Sequence, residues 1–158
     1  MALTGGRRML DRFKFRFYDK ENKIMVYADT DDELLPYYPD EIYTTWQTYD
    51  LSAIENLANN EDYIVMQCTG LKDKNSKLIY EGDIVKFAEY DWTDFSFKDW
   101  EQQKTVVIWG GDYDYPAFDL KGTDFDGTNG LAYIFCEGWT IEVIGNIYEN
   151  SELLEDNK

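Results

Sequence analysis

Arg12-Phe13-Lys14-Phe15-Arg16-Phe17 alternates base and aromatic without a break. A strand sends successive side chains to opposite faces. The stretch therefore reads as a β-strand that buries Phe13, Phe15 and Phe17 together, with Phe15 at the centre. Arg12, Lys14 and Arg16 then line the other face. Asp19-Lys20-Glu21-Asn22 is turn chemistry, and 23–27 reads as a returning strand, so the unit is a hairpin.

Short apolar runs bounded by turn residues fill much of the chain that follows. Strands are expected at 63–67, 78–80, 84–87, 105–109, 118–120, 131–136 and 139–148. Thr69-Gly70, the polar segment 72–77, Glu81-Gly82-Asp83, Gly110-Gly111-Asp112 and 122–130 punctuate them. The run 105–109 is continuously apolar, which fits a strand buried on both faces. Gly145-Asn146 suggests a bulge. Segment 29–40, with Pro36 and Pro39, reads as a loop or irregular edge, and 89–103 as a loop with a distorted strand. Helical spacing occurs at 51–58, where Ser52 and Glu55 form a capping box, and one helical turn is expected at 151–155 with Asn150 as its cap. The expected organisation is a flexible leader at 1–8, an N-terminal hairpin, acidic loop and short helix at 9–60, and a β-barrel-like domain at 61–158.

The chain has 158 residues, enough for one domain with a real core. Thirteen Tyr, nine Phe and five Trp favour strands and contact surfaces, which points to a homo-oligomer. Acids outnumber bases 32 to 15, for a formal charge of −17. Such a field repels nucleic acid and anionic membranes and attracts basic partners. The chain lacks His, the commonest general base and transition-metal ligand. Cys68 and Cys136 have no metal-ligand spacing and read as reduced, half-buried strand residues. Residues 1–8 lack a signal-peptide apolar stretch, and no apolar run approaches a membrane span. The expected location is the cytoplasm, with no membrane partner.

Three segments resemble the YopX family, carried mostly by bacteriophages and prophages: KFRFYDKENKIM at 14–25, QCTGLKDKNSKLIYEGDIVK at 67–86 and EVIGNIYENSELL at 142–154. Cys68 stands where an aromatic is usual, Ser76 replaces a turn Gly, and Ser151 replaces a Pro. The resemblance implies a β-barrel-like fold and a phage or prophage origin in a bacterial host cell. Nucleic-acid binding is a role suspected for the family, and the resemblance brings no catalytic residue. Gly-Asp before Ile-Val also echoes how small SH3-like barrels begin a strand. The expected fold is mainly β: an antiparallel SH3-like or related small barrel, with an N-terminal hairpin and one or two short helices.

The basic face Arg12, Lys14, Arg16, with the turn Lys72, Lys74, Lys77, is the feature that suggests nucleic acid, through phosphate contacts and stacking on nearby Tyr. The plainer reading, favoured by the −17 charge, pairs these bases with the chain's own carboxylates. Asp29, Asp31, Asp32 and Glu33, Asp112 with Asp114, and Asp124 with Asp126 are candidates for a hard cation. Aligning Gly127 with the glycine of a calcium loop puts Gly122 and Tyr133 where carboxylates belong, so that match fails. No Ser or Cys has a His to activate it, and carboxylate pairs arise by chance among 32 acids. Trp92, Trp100 and Trp109 read as core or contact residues before a ligand groove. The sequence thus points to a non-enzymatic binding or structural module without cofactor or metal, acting on a host or phage protein. The alternatives are a nucleic-acid binder using the basic face and an acidic DNA mimic that blocks a host DNA-binding protein.

Overall fold

The computed structural model describes residues 14–27, 58–88, 90–91, 96–97, 103–110, 116–123 and 128–155. Its strands are β1 (Phe15–Asp19), β2 (Ile24–Tyr27), β3 (Tyr63–Lys72), β4 (Leu78–Tyr80), β5 (Asp83–Ala88), β6 (Tyr90–Asp91), β7 (Ser96–Phe97), β8 (Lys104–Trp109), β9 (Phe118–Leu120) and β10 (Thr140–Asn146). Helix α1 spans Gly130–Cys136, and a 3-10 turn spans Ser151–Leu154. Two antiparallel four-stranded sheets, β2-β1-β3-β4 and β10-β5-β8-β9, make the mainly β fold, a curled half-barrel; β6 and β7 form a separate ribbon.

The hairpin forms as its residues dictate. The Asp19 carboxylate accepts the N–H groups of Glu21 and Asn22, each at 2.9 Å, and the Asn22 side-chain amide at 2.8 Å. β1 then pairs with β3, Arg16 opposite Met66 and Phe17 opposite Val65, so the N-terminal hairpin and the later strands share one sheet. β4 and β5 are two halves of one bent path. Glu81 N–H bonds Gln67 O in the first sheet, and Gly82 N–H bonds Val107 O in the second, at 3.0 and 2.8 Å. Gly82 has φ +79°, which glycine adopts without steric cost, and a Cβ there would meet Met66 Sδ at 3.3 Å.

The main core lies between the second sheet, β4 and α1; Ile79 of β4, Val85 and Val107 of the second sheet and Ile134 of α1 are among its sealed members. A smaller cluster gathers Val26, Tyr63 and Val65 around Phe17. Within the predicted buried face, Phe17 is 0% exposed but Phe15 is only half-buried. The opposite face is not a solvent face at Arg16, which is 1% exposed because the second sheet covers it.

The segment 131–136, expected as a strand, is helical. Asn129 Oδ1 accepts the Ala132 N–H at 2.7 Å and caps α1, while Leu131 and Ile134, three residues apart, both enter the core. β3 also runs through Thr69-Gly70 to Lys72, with an irregular register between Cys68 and Lys72 and Gly70 at φ +77°. Other expectations hold. The β10 register shifts between Val143 and Gly145, and the 3-10 turn follows Asn150, though without a side-chain cap bond. Strand β8 is buried on both faces from Thr105 to Val107 and emerges at Trp109. Neither cysteine is in a disulfide; Cys68 is buried rather than half-buried, and Cys136 is exposed at the end of α1 rather than on a strand. Segments 1–8, 29–40 and 51–57, which carry the leader, the acidic loop and most of the first helix, lie outside the described residues. No helix among the described residues is long and apolar enough to cross a membrane.

The β3–β4 turn is organised by Asp73, 6% exposed. Its carboxylate accepts the N–H groups of Asn75, Lys77 and, across to β10, Val143 at 2.8, 2.9 and 3.1 Å. Within this turn Ser76 has φ +66°. A left-handed conformation costs a non-glycine residue about 1–2 kcal/mol, and glycine returns part of that through the entropy of the unfolded chain. Ser76→Gly is therefore expected to stabilise by about 0.5 kcal/mol, a rise of about 1–2 °C in Tm by calorimetry. A lower Tm would show that the Ser side chain holds the turn.

Candidate functional site

Of the six basic residues singled out from the sequence, five are described: Arg16 is buried, Lys14 half-buried, and Lys72, Lys74 and Lys77 exposed. Arg12 lies outside the described residues. Lys14 precedes β1 and is half-buried; its carbonyl accepts the Cys68 N–H at 2.9 Å. Lys72 and Lys77 are exposed at the two ends of the Asp73 turn. Lys74 docks that turn on β10, its N–H bonding Ile141 O at 2.9 Å and its ammonium meeting Glu142 at 2.9 Å. Lys86 of β5 reaches the same Glu142 oxygen at 3.2 Å. Hydrogen bonding from Lys74, supported by Lys86 and Asn75, holds the Glu142 carboxyl below the usual range.

Arg16 meets a carboxylate, in keeping with the plainer reading, and its burial has the largest consequence. Even-numbered residues of β1 face the second sheet, so its guanidinium enters the space between the two sheets. There Arg16 Nη1 meets Asp83 Oδ1 at 2.7 Å, each residue 1% exposed. Nη2 donates to Glu81 O at 2.9 Å. The rings of Tyr80 and Tyr27 flank the guanidinium carbon, their centroids at 4.9 and 5.8 Å. The second oxygen of Asp83 accepts the Tyr80 N–H at 2.8 Å. Arg16 Nε finds no acceptor, and the close approach to Oδ1 is an ionic contact outside hydrogen-bond alignment. Burial pushes the Asp83 carboxyl above its ordinary range, although Arg16 pulls the other way. Burial also raises the Glu81 carboxyl and the Tyr27 phenol.

This cluster is a sealed clamp between β1 and the start of β5. Its guanidinium has no route to a phosphate, and it presents no solvent-open acid and base to a substrate. Sequence reading missed its other members. Asp83 read only as a turn residue after Gly82, and nothing local marks Tyr27 or Tyr80 as its walls. Lys86 was likewise unmarked, since its partner is 56 positions away by residue number (142 − 86).

The acidic groups at 29–33, 112–114 and 124–126 lie outside the described residues, as do Trp92 and Trp100. Trp109 is described and 52% exposed, edge-on to Phe118 with ring centroids 4.9 Å apart. Among the described residues no three His, Cys, Asp or Glu side chains gather to hold a metal ion.

A family model described as YopX protein matches residues 14–155. Among solved structures, the chain is similar to the crystal structure of protein EF1440 from Enterococcus faecalis. The identity is 26%, the match covers 89% of this chain and 96% of that one, and the TM-score is 0.48. No curated protein matches the chain.

Proposed function

The chain belongs to the YopX family, and from that premise we propose that it is a phage- or prophage-encoded, non-enzymatic binding module that acts through protein contacts in the bacterial cytoplasm. One observation carries the reading: two of the bases that would have served a polyanion are paired with the chain's own carboxylates. Arg16 is sealed against Asp83, and Lys74 meets Glu142. The formal charge of −17 adds long-range repulsion of nucleic acid. The exposed Trp109 beside Phe118 supplies apolar surface of the kind that protein contacts use.

Fluorescence anisotropy with labelled duplex and single-stranded oligonucleotides tests this against the nucleic-acid alternative. No binding is expected at physiological salt. Lys72 and Lys77 remain exposed and would be the phosphate contacts of that alternative. Submicromolar binding that falls steeply with salt, and that is lost on Lys72→Ser with Lys77→Ser in a folded chain, would replace the protein-contact reading with a nucleic-acid one.

A further inference from the structure

Hydrogen-bond parity shows where the sheets are open among the described residues. Lys20 N–H bonds Asp62 O, and Cys68 N–H bonds Lys14 O. With the register Phe17 opposite Val65, the even residues of β3 bond β1, and the backbone groups of Val65 point to the other edge. At that edge β4 accompanies β3 only as far as Glu81, which then turns away through Gly82. On β8, Lys121 N–H bonds Val106 O and Gly110 N–H bonds Ala117 O, so even residues serve β9 and Trp109 points to the β5 side. The β5 ladder ends before it: Val107 O takes the Gly82 N–H, and on that side the Trp109 backbone has no bond among the described residues. The edge of β2 contrasts with this, because the Glu149 carboxylate covers the Met25 N–H at 3.3 Å.

Between these two open edges lies a slot of about 100 Å³. Its sides are Ile64, Val65 and Met66 of β3 and Val106, Val107 and Ile108 of β8, and its lining is completed by Glu81, Gly82, Ile147 and Tyr148. That volume takes one aliphatic side chain, on the scale where about 150 Å³ holds a benzene ring. Glu81 is the one charged residue in the lining; its carboxyl is hydrogen-bonded by the Gln67 backbone and feels the buried Arg16 behind it.

We infer that this slot is a strand-addition site for an extended segment of a basic partner protein. Resting on the protein-contact reading, it gives that reading a surface and a ligand chemistry. The segment's backbone bonds Val65 and reaches Trp109, one aliphatic side chain fills the slot over Gly82, and a neighbouring Lys or Arg meets Glu81. The occupant is basic because the slot's charge is a carboxylate and the chain carries −17.

The test pans a displayed library of random linear peptides against the full chain. Enriched peptides are expected to set Lys or Arg beside aliphatic residues in an alternating pattern. A synthetic copy of the best binder should slow amide hydrogen exchange at Val65 and Trp109. Ile64→Glu should weaken its binding at least about tenfold, Glu81→Gln should weaken it less, and the exposed Glu137→Gln should leave it unchanged. The exchange measurement uses the unaltered chain, so it stands even if Ile64→Glu impairs folding. Failure to enrich any peptide overturns the inference. So does a peptide that binds without protecting Val65 and Trp109, although protein contact elsewhere would then survive. If instead Ile64→Glu splits an oligomer of this chain and no peptide is enriched, the slot holds a second copy and the partner assignment falls.

Discussion

Replacing Arg16 with Ala is expected to cost about 3–5 kcal/mol, because it strands the Asp83 carboxylate between the sheets. Chemical denaturation followed by intrinsic fluorescence reads the loss. Replacing both charges, Arg16→Met with Asp83→Asn, should restore most of it, since the uncompensated charge disappears and Asn can still accept the Tyr80 N–H. The pH dependence has a definite sign. Burial lifts the folded pKa of Asp83 above its unfolded value of about 3.9, so the folded state binds the proton more tightly. Stability from this group is therefore highest at low pH and falls as pH rises towards the folded pKa. Without Arg16 that pKa climbs further, so the Arg16→Ala deficit should be smallest below about pH 4 and widen towards neutrality. A near-neutral Arg16→Ala at pH 7 would mean that the guanidinium is not sealed against Asp83.

Phe17→Ala is the second large expected loss, about 3–5 kcal/mol for a fully buried aromatic. Phe17 anchors the smaller cluster and meets Tyr63 edge-on with ring centroids 5.6 Å apart. Phe15→Ala, at a half-buried position, should cost about half as much. Paired denaturation curves decide the matter: equal losses, or a larger one for Phe15, would place the centre of the buried face where the alternation alone puts it.

The difference between these two phenylalanines shows what the sequence can carry. Alternation at 12–17 reports a strand and its two faces, because the period belongs to the backbone. It cannot report what covers either face. The charge balance pointed to a carboxylate for Arg16 but could not name Asp83, which a strand far along the chain supplies. Local chemistry was legible wherever it stayed local: the Asp19 turn, the Gly82 bend and the bulge before Gly145 all formed where their residues suggested. The segment 131–136 failed for a related reason. Six apolar residues fit a buried strand or a short buried helix equally well, and Asn129, whose side chain caps α1, was read as part of a loop. Of the candidate basic face, Arg16 is sealed at Asp83 and Lys74 meets Glu142, pairings set by the tertiary fold. The slot had no sequence signal at all, since it arises where two ladders stop pairing with one bent strand.

The two cysteines make the chain its own stopwatch. Cys136 is exposed and open to a thiol reagent in the folded state, whereas Cys68 is 1% exposed on β3, its Sγ 3.4 Å from the Gly70 N–H. A reagent in excess therefore marks Cys136 at once and reaches Cys68 only when β3 lifts from its neighbours. The observed rate at Cys68, divided by the intrinsic rate of an exposed thiol, gives the fraction of time the sheets stand apart. No label or inserted reporter is needed, because the timing mark sits on the strand that lines the slot.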